Sequence, residues 1–413
     1  MMISLEHIRE QFPSLQTCSD VLLDNAGGSQ VPRQVAEAMC YYMLSNYVQV
    51  GADYRTSLSA TATVHRAHEF VTLMMNGVQH GHVAIGSSTT MLCAMLAECY
   101  ARASNRTRNE IIVAETAHEA NAGPWFRLAA RGFKVRLWPI EADGLTLPLD
   151  SLKKLLGDRT RLVAFPHISN LLGRIEDAES ITALVHAAGA RVVIDGVAFA
   201  PHRAMDVASL GADWYLYSTY KVFGPHMAAL FGTHAAFEEL EGPNHFFIPK
   251  HEVPYRFEPG GPAHEGCAGL VALWGYLADL AGLAPQDGPS RLGIERAFEQ
   301  ISQLEEFLQA RLLGYLRSKR NVRIVGPVAS GPNRVPTISL VHRYKQSAEI
   351  AKAANVKGFG IRYGHFYAYR LCERLAHEKI AHDTSDGVVR VSMLHYNTLE
   401  EVERLIACLE VLL

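Results

Sequence analysis

The residue with the plainest chemistry in this chain is Lys221, in the run Tyr217-Ser218-Thr219-Tyr220-Lys221-Val222-Phe223-Gly224-Pro225-His226. It follows an apolar, aromatic stretch with strand character and precedes a Gly-Pro turn. A lysine so placed can end a buried strand with its amine turned into a cleft. Desolvation there lowers its pKa and makes it nucleophilic. Such an amine forms a Schiff base with an aldehyde.

Asp195 ends the run Arg191-Val192-Val193-Ile194-Asp195. The C-terminal end of a parallel strand is the rim where α/β proteins bind ligands. A carboxylate buried there needs a cationic partner. A protonated pyridine nitrogen would serve, and pyridoxal phosphate (PLP) carries both that nitrogen and the aldehyde. The ordinary alternative is a strand-end Asp capping a loop. Gly86-Ser87-Ser88-Thr89-Thr90 follows a strand-like Val83-Ala84-Ile85 and opens a helix. Its N–H groups and hydroxyls would make a phosphate cradle, or Ser88 and Thr89 would supply a plain N-cap. His118 and Asn170 each follow a strand-like run. The first could stack on a flat ring and the second could bond a phenolic oxygen; either could be a loop polar residue. Arg390 stands inside the apolar run Val388-Val389-Arg390-Val391-Ser392. Buried, it needs an anion, and its fork suits a carboxylate; the alternative is an internal salt bridge.

These residues need a scaffold to hold them. The runs 110–114, 134–139, 162–165, 191–194, 214–218 and 227–231 read as strands, and 89–103, 121–130, 148–156 and 178–188 as helices between them. That alternation predicts an α/β fold, a mostly parallel sheet flanked by helices. Residues 241–269 read as a long functional loop, followed by helices at 270–280 and 290–316. Strands at 322–325, 337–341 and 388–392 and a helix at 399–412 predict a smaller α+β C-terminal domain. The expected division is 1–20, a segment packing on the small domain; 21–270, the large domain; and 271–413, the small domain.

The 413 residues are 48% hydrophobic and 20% charged, in the range of globular proteins with a large core. A net charge of -3 gives no basic surface for nucleic acid or anionic membrane. The N-terminal run lacks the basic and apolar regions of a secretory signal. Seven cysteines without CxxC pairs suggest free thiols in a reducing cytoplasm. Nineteen histidines show no HExxH and no zinc-site spacing, so no metal is expected.

The ordered set Asp24-Asn25-Ala26-Gly27-Gly28, Ser88-Thr89-Thr90, His118-Glu119-Ala120-Asn121, Ser169-Asn170-Leu171-Leu172-Gly173, Asp195 with His202, Ser218 with Lys221, and Arg390 with Tyr396-Asn397-Thr398 resembles the cysteine desulfurase-like branch of class V aminotransferases. These are fold-type I PLP enzymes. The resemblance spans nearly the whole chain. It implies that Lys221 holds PLP, Asp195 pairs with the pyridine nitrogen, His118 stacks on the ring and Asn170 binds the ring hydroxyl oxygen. Ser88, Thr89 and Ser218, with Tyr220 and His202, would complete the cofactor site. Arg390 would clamp the substrate carboxylate, with Asn25, Gln49 and Tyr367 near the substrate. It also implies a homodimer with the cofactor near the subunit interface.

The chain departs from that pattern in ways that bear on the reaction. Desulfurases carry a nucleophilic cysteine on a loop that matches Ile361-Arg362-Tyr363-Gly364-His365-Phe366-Tyr367-Ala368-Tyr369, and its position holds Tyr367. A phenol cannot become a persulfide, a step that needs a thiolate. Ala198 stands where relatives have Gln or His, Tyr220 replaces a histidine, and Gly261 replaces a phosphate-binding threonine. Gln49-Val50 stands where relatives often have His-Arg. Tyr363, Phe366, Tyr367 and Tyr369 could line an apolar pocket or serve as packing aromatics. The reading is a cytoplasmic PLP enzyme acting on an α-amino acid, first a C–S lyase on cysteine or an S-substituted cysteine. Epimerisation, transamination and C–C bond formation are alternatives, as are a desulfurase and a non-catalytic PLP-fold protein.

Overall fold

The computed structural model describes residues 3–103, 107–141, 144–377 and 385–413. The chain forms two compact units, each built from three segments: Met1–Gln16, Ser29–Arg108 and Arg191–Gln300 in one, Thr17–Gly28, Asn109–Ala190 and Ile301–Leu413 in the other. The three-part division expected from the sequence is a proposal about folding domains that stands beside this one. Its boundary at residue 270 falls inside the helix His264–Leu280.

In the first unit the strands Gly81–Gly86, Ala228–Thr233, Trp214–Ser218 and Arg191–Asp195 lie side by side in that order. The last pair is parallel, with Asp195 beside Leu216, and the other pairs are antiparallel. Every residue of Trp214–Ser218 is buried, as expected of a strand covered on both faces. Helices Arg33–Ser45 and Arg55–Met74, absent from the sequence reading, pack on His264–Leu280. That last helix begins within the stretch read as loop. Gly266 and Gly269 suggest a turn in the sequence, but they serve close packing: a methyl at either would meet Met227 Sδ at 2.2 Å or Met39 Cγ at 2.9 Å. The N-terminal segment joins this unit through Phe12, whose ring meets those of Phe223 and Tyr276 edge-on, and through His7, bonded to Asp279 at 2.8 Å.

In the second unit the strands Thr160–Pro166, Glu110–Ala114 and Lys134–Trp138 run parallel, with Glu110–Ala114 in the middle. A separate antiparallel sheet has the order Arg362–Gly364, Val388–Ser392, Thr337–His342, Val322–Val325. With helices Ser347–Val356 and Leu399–Leu412 it encloses a core of Leu312, Ile338, Leu340, Val389, Val391 and Leu405, among others. This is the α+β region expected from the sequence. Thr398 and Glu401 form a capping box that fixes the start of the last helix. The helix expected at 121–130 is broken instead into short turns at Glu119–Asn121, Gly123–Arg127 and Leu128–Arg131. Pro124 lacks the N–H that would carry one helix through Gly123. Among the described residues no helix is long and apolar enough to cross a membrane.

One buried ion pair ties three parts of the first unit together. His68 Nε2 lies 2.7 Å from Glu258 Oε1, which also accepts the Ile85 N–H at 2.6 Å, while His68 Nδ1 faces the Val64 carbonyl at 2.9 Å. Both ring nitrogens face acceptors, an arrangement that favours the doubly protonated imidazolium. Burial pulls the His68 pKa down, but the Glu258 contact outweighs it and raises the group above 6.5. A raised folded-state pKa gives stability that is complete below the ordinary imidazole value and is lost as pH rises through the folded value. Unfolding free energy is therefore expected to fall as pH is raised above 6.5. His68→Gln should flatten that slope and cost about 1.5–3 kcal/mol at the acid end, as read by urea denaturation across pH.

Candidate active site

The buried strand Trp214–Ser218 runs into a single turn, Thr219–Lys221, which ends on the lysine. The turn is held from both sides. Thr219 Oγ1 donates to the Pro225 carbonyl at 2.6 Å, Ser29 Oγ donates to the Tyr220 carbonyl at 3.1 Å, and the Phe223 N–H donates to Ser29 Oγ at 2.8 Å. Phe223 accepts a left-handed φ of 60° to make this bend. Lys221 is partly buried. On the neighbouring parallel strand Asp195 is 6% exposed. Burial pushes its pKa up, while the Val197 N–H at 3.0 Å and the charge of Lys221 pull it down; burial wins. The next residue must be glycine, because a Cβ on Gly196 would lie 2.1 Å from the buried Tyr215 ring.

Hydroxyls gather beside this pair of strands. Thr89 Oγ1 and Ser218 Oγ are 2.7 Å apart and buried. Tyr220 bonds Ser218 and stacks on His226 at 4.5 Å; burial raises its phenol pKa and the Ser218 bond opposes that. Ser88 takes the N-cap role, accepting the Met91 N–H at 3.2 Å at the start of the helix Thr89–Arg102. A lysine, a buried acid and hydroxyls at the positive end of a 14-residue helix suit the aldehyde, ring nitrogen and phosphate of PLP. His202 is buried in the segment that follows Asp195. Gln49 lines a cavity of about 460 Å³ with Gly260, Pro262 and His264. Gly261 has φ +74° and open space where a side chain would stand, so a threonine there would be strained by the backbone alone.

The second unit carries the remaining candidates. His118 Nδ1 accepts the Ala120 N–H at 3.0 Å, which leaves the neutral ring's proton on Nε2. Its ring lies 5.2 Å from that of Tyr367, whose carbonyl accepts the Glu119 N–H at 2.8 Å. Phe366 and Tyr367 both have left-handed φ, 47° and 59°. That strain is held by the Glu119 bond and by Arg370, which pairs with Glu119 at 2.8 Å and covers the Phe126 ring at 3.9 Å. Of the four aromatics in this stretch only Phe366 is buried. Asn170 Nδ2 donates to the Phe366 carbonyl at 2.8 Å, and its Oδ1 is buried without a partner among the described residues. It therefore offers an acceptor, which a protonated ring hydroxyl would satisfy.

Arg390 is 2% exposed, and its guanidinium lies 3.9 Å over the Phe366 ring. Nη2 donates to Asp24 Oδ1 at 2.8 Å, so the internal salt bridge is formed. Arg362 Nη1 reaches the other Asp24 oxygen at 3.3 Å. The sequence gives no sign of this contact, because only the folded register brings Asp24 and Arg362 to Arg390. Asn25 is committed to the fold. Its Nδ2 faces the Leu22 and Ser392 carbonyls at 3.0 Å each and Asn397 Oδ1 at 3.1 Å, and its Oδ1 accepts from Tyr396 Oη at 2.6 Å. Its amide protons are already taken up by this buried network, so the substrate contact expected of it would require the network to open. Tyr396→Phe leaves a buried acceptor unmet and is expected to cost about 1–3 kcal/mol in denaturant unfolding, with no loss of PLP binding by absorbance.

The chain matches the family model described as Aminotransferase class-V over residues 21–405. It is 36% identical to the aminotransferase-like protein FGM3 of Gibberella zeae, over 99% of this chain and 98% of that one. It is 31% identical to the cysteine desulfurase-like protein ustD of Aspergillus flavus, over 97% and 89% of the two chains. The crystal structure of the cysteine desulfurase CsdA from Escherichia coli superposes with a TM-score of 0.82 at 25% identity, covering 100% of this chain and 98% of that one. The chain belongs to the class V aminotransferase family of PLP-dependent enzymes, and its fold is the fold-type I arrangement of the cysteine desulfurases.

Proposed function

We propose that this chain is a PLP-dependent enzyme that cleaves the C–S bond of cysteine or an S-substituted cysteine by β-elimination. The observation that carries the enzyme reading is Lys221 in the turn that ends a buried strand, whose parallel neighbour ends on the buried Asp195. When bound, PLP supplies an electron sink for charge that develops at the substrate Cα. Lys221 would hold its aldehyde carbon, Asp195 would face its ring nitrogen, and Ser88, Thr89, Ser218 and Tyr220 would take its phosphate, with His202 nearby. His118 would cover the ring and Asn170 would accept from the ring hydroxyl. Arg390 would receive the substrate carboxylate, with Tyr367 and Gln49 toward the side chain. The Lys221 amine, once released, would take the Cα proton. The Cβ–S bond then breaks, the sulfur leaves as a thiol, and water completes the products pyruvate and ammonia.

Elimination is preferred over persulfide formation on thiol chemistry. Tyr367 replaces the cysteine, and Cys372 is buried with its thiol pushed up to about 12, where the reactive thiolate is scarce. Transamination is the second reading, favoured by the aminotransferase-like name of the relative at 36% identity; epimerisation and C–C bond formation start from the same loss of the Cα proton. A cytoplasmic homodimer completes the proposal. Exposed Tyr41, Leu44, Tyr54 and Leu58, in or beside the helices Arg33–Ser45 and Arg55–Met74, suit burial against a second copy.

PLP-loaded protein should release pyruvate and a thiol from an S-alkyl cysteine, and Lys221→Ala should lower that rate by at least ~10². Amino-group transfer to a 2-oxo acid without thiol release would establish transamination instead. Turnover that survives Lys221→Ala would remove Lys221 from the chemistry.

A further inference from the structure

Among the described residues, the contacts of Arg390 hold one negative charge too few. Arg362 and Arg390 are direct cross-strand partners on adjacent strands, so two like charges share one face of the sheet. The acid in contact with both is Asp24, one oxygen to each, at 2.8 Å from Arg390 and 3.3 Å from Arg362. Two guanidinium groups and one carboxylate leave a net charge of about +1. The unused donors lie on Arg390. Among the described residues its Nε is buried without a partner, and its Nη1 reaches only the Asn170 carbonyl at 3.4 Å. Asp24 therefore engages one donor of a fork that can hold a carboxylate with two. Phe366 covers one face of the guanidinium at 3.9 Å, so an anion must enter in the guanidinium plane.

Asp24 is easier to move than Arg390. It is about 25% exposed and Arg362 about 55%, against 2% for Arg390. If Asp24 leaves Arg390, its other oxygen stays with Arg362 at the solvent edge.

We propose that Asp24 is a specificity-determining placeholder: it occupies the Arg390 fork until an incoming carboxylate displaces it onto Arg362. This rests on the reading of Arg390 as the substrate-carboxylate receptor and adds the group that competes for it. A ligand with a carboxylate supplies the missing charge and both fork oxygens, whereas an amine lacking one leaves Asp24 in place. No covalent bond changes in this exchange.

The test uses acetate as the probe and thermal unfolding of the full chain as the readout, with acetamide and chloride as controls at matched concentration. Asp24→Ala empties the fork. Acetate is expected to raise its unfolding temperature with a half-saturating concentration at least about tenfold lower than in the wild type, and Arg390→Gln in the same background should abolish the response. An equal acetate response in wild type and Asp24→Ala overturns the placeholder while leaving Arg390 as a carboxylate receptor. No response beyond chloride in any variant overturns both. A response that survives Arg390→Gln places the anion elsewhere and also overturns the proposal. If Asp24→Ala does not fold, Asp24→Asn keeps the shape without the charge, and the same comparison decides.

Discussion

Everything in the first unit that bears on chemistry depends on keeping a carboxyl group out of water. Asp195 is 6% exposed at the end of a strand, and burial outweighs both the Val197 N–H and the Lys221 charge in setting its pKa. Such a group is costly without a cation. The fold accepts that cost by register: Asp195 pairs with Leu216, two residues before Ser218 and five before Lys221. The same strand thus delivers the hydroxyl that meets Thr89 and the lysine that acts on the acid. A ring cation at Asp195 would complete the compensation.

The second unit solves a related problem with opposite signs. Arg390 is a buried cation in the middle of an antiparallel sheet, stacked on Phe366 and served by one carboxylate oxygen. Burial lowers its pKa and Asp24 opposes. Both units hold an under-compensated charge that a small molecule of the right type would complete. On the proposed reading, an α-amino acid would supply the carboxylate in one case and PLP the ring cation in the other.

The legibility of these features follows their range along the chain. Glu110–Ala114, Trp214–Ser218, Val322–Val325, Val388–Ser392 and the helix Leu399–Leu412 form as the sequence suggests. Each is an apolar run bounded by turn residues or a cap. The helices Arg33–Ser45 and Arg55–Met74 escaped that reading because part of their apolar surface points outward: Tyr41 is 73% exposed and Leu44 83%. The start of His264–Leu280 was hidden by glycines that serve packing. Lys221, Asp195, Thr89 and Ser218 stand out as candidates in the sequence because each sits at a strand end, in the turn after one, or at a helix start. The Asp24–Arg390 pair spans 366 residues, and Tyr396 to Asn25 spans 371. Only the folded register joins them, so neither contact could be read from the sequence.

In the proposed enzyme Lys221 would be the amine that carries the cofactor. The most direct measurement of this is borohydride reduction of the PLP-incubated protein, followed by proteolysis and mass analysis of the lysine-containing peptides. The expected result is a phosphopyridoxyl group on the peptide containing Lys221, in near-stoichiometric amount. A label on a different lysine, or none at saturating PLP, would contradict the account.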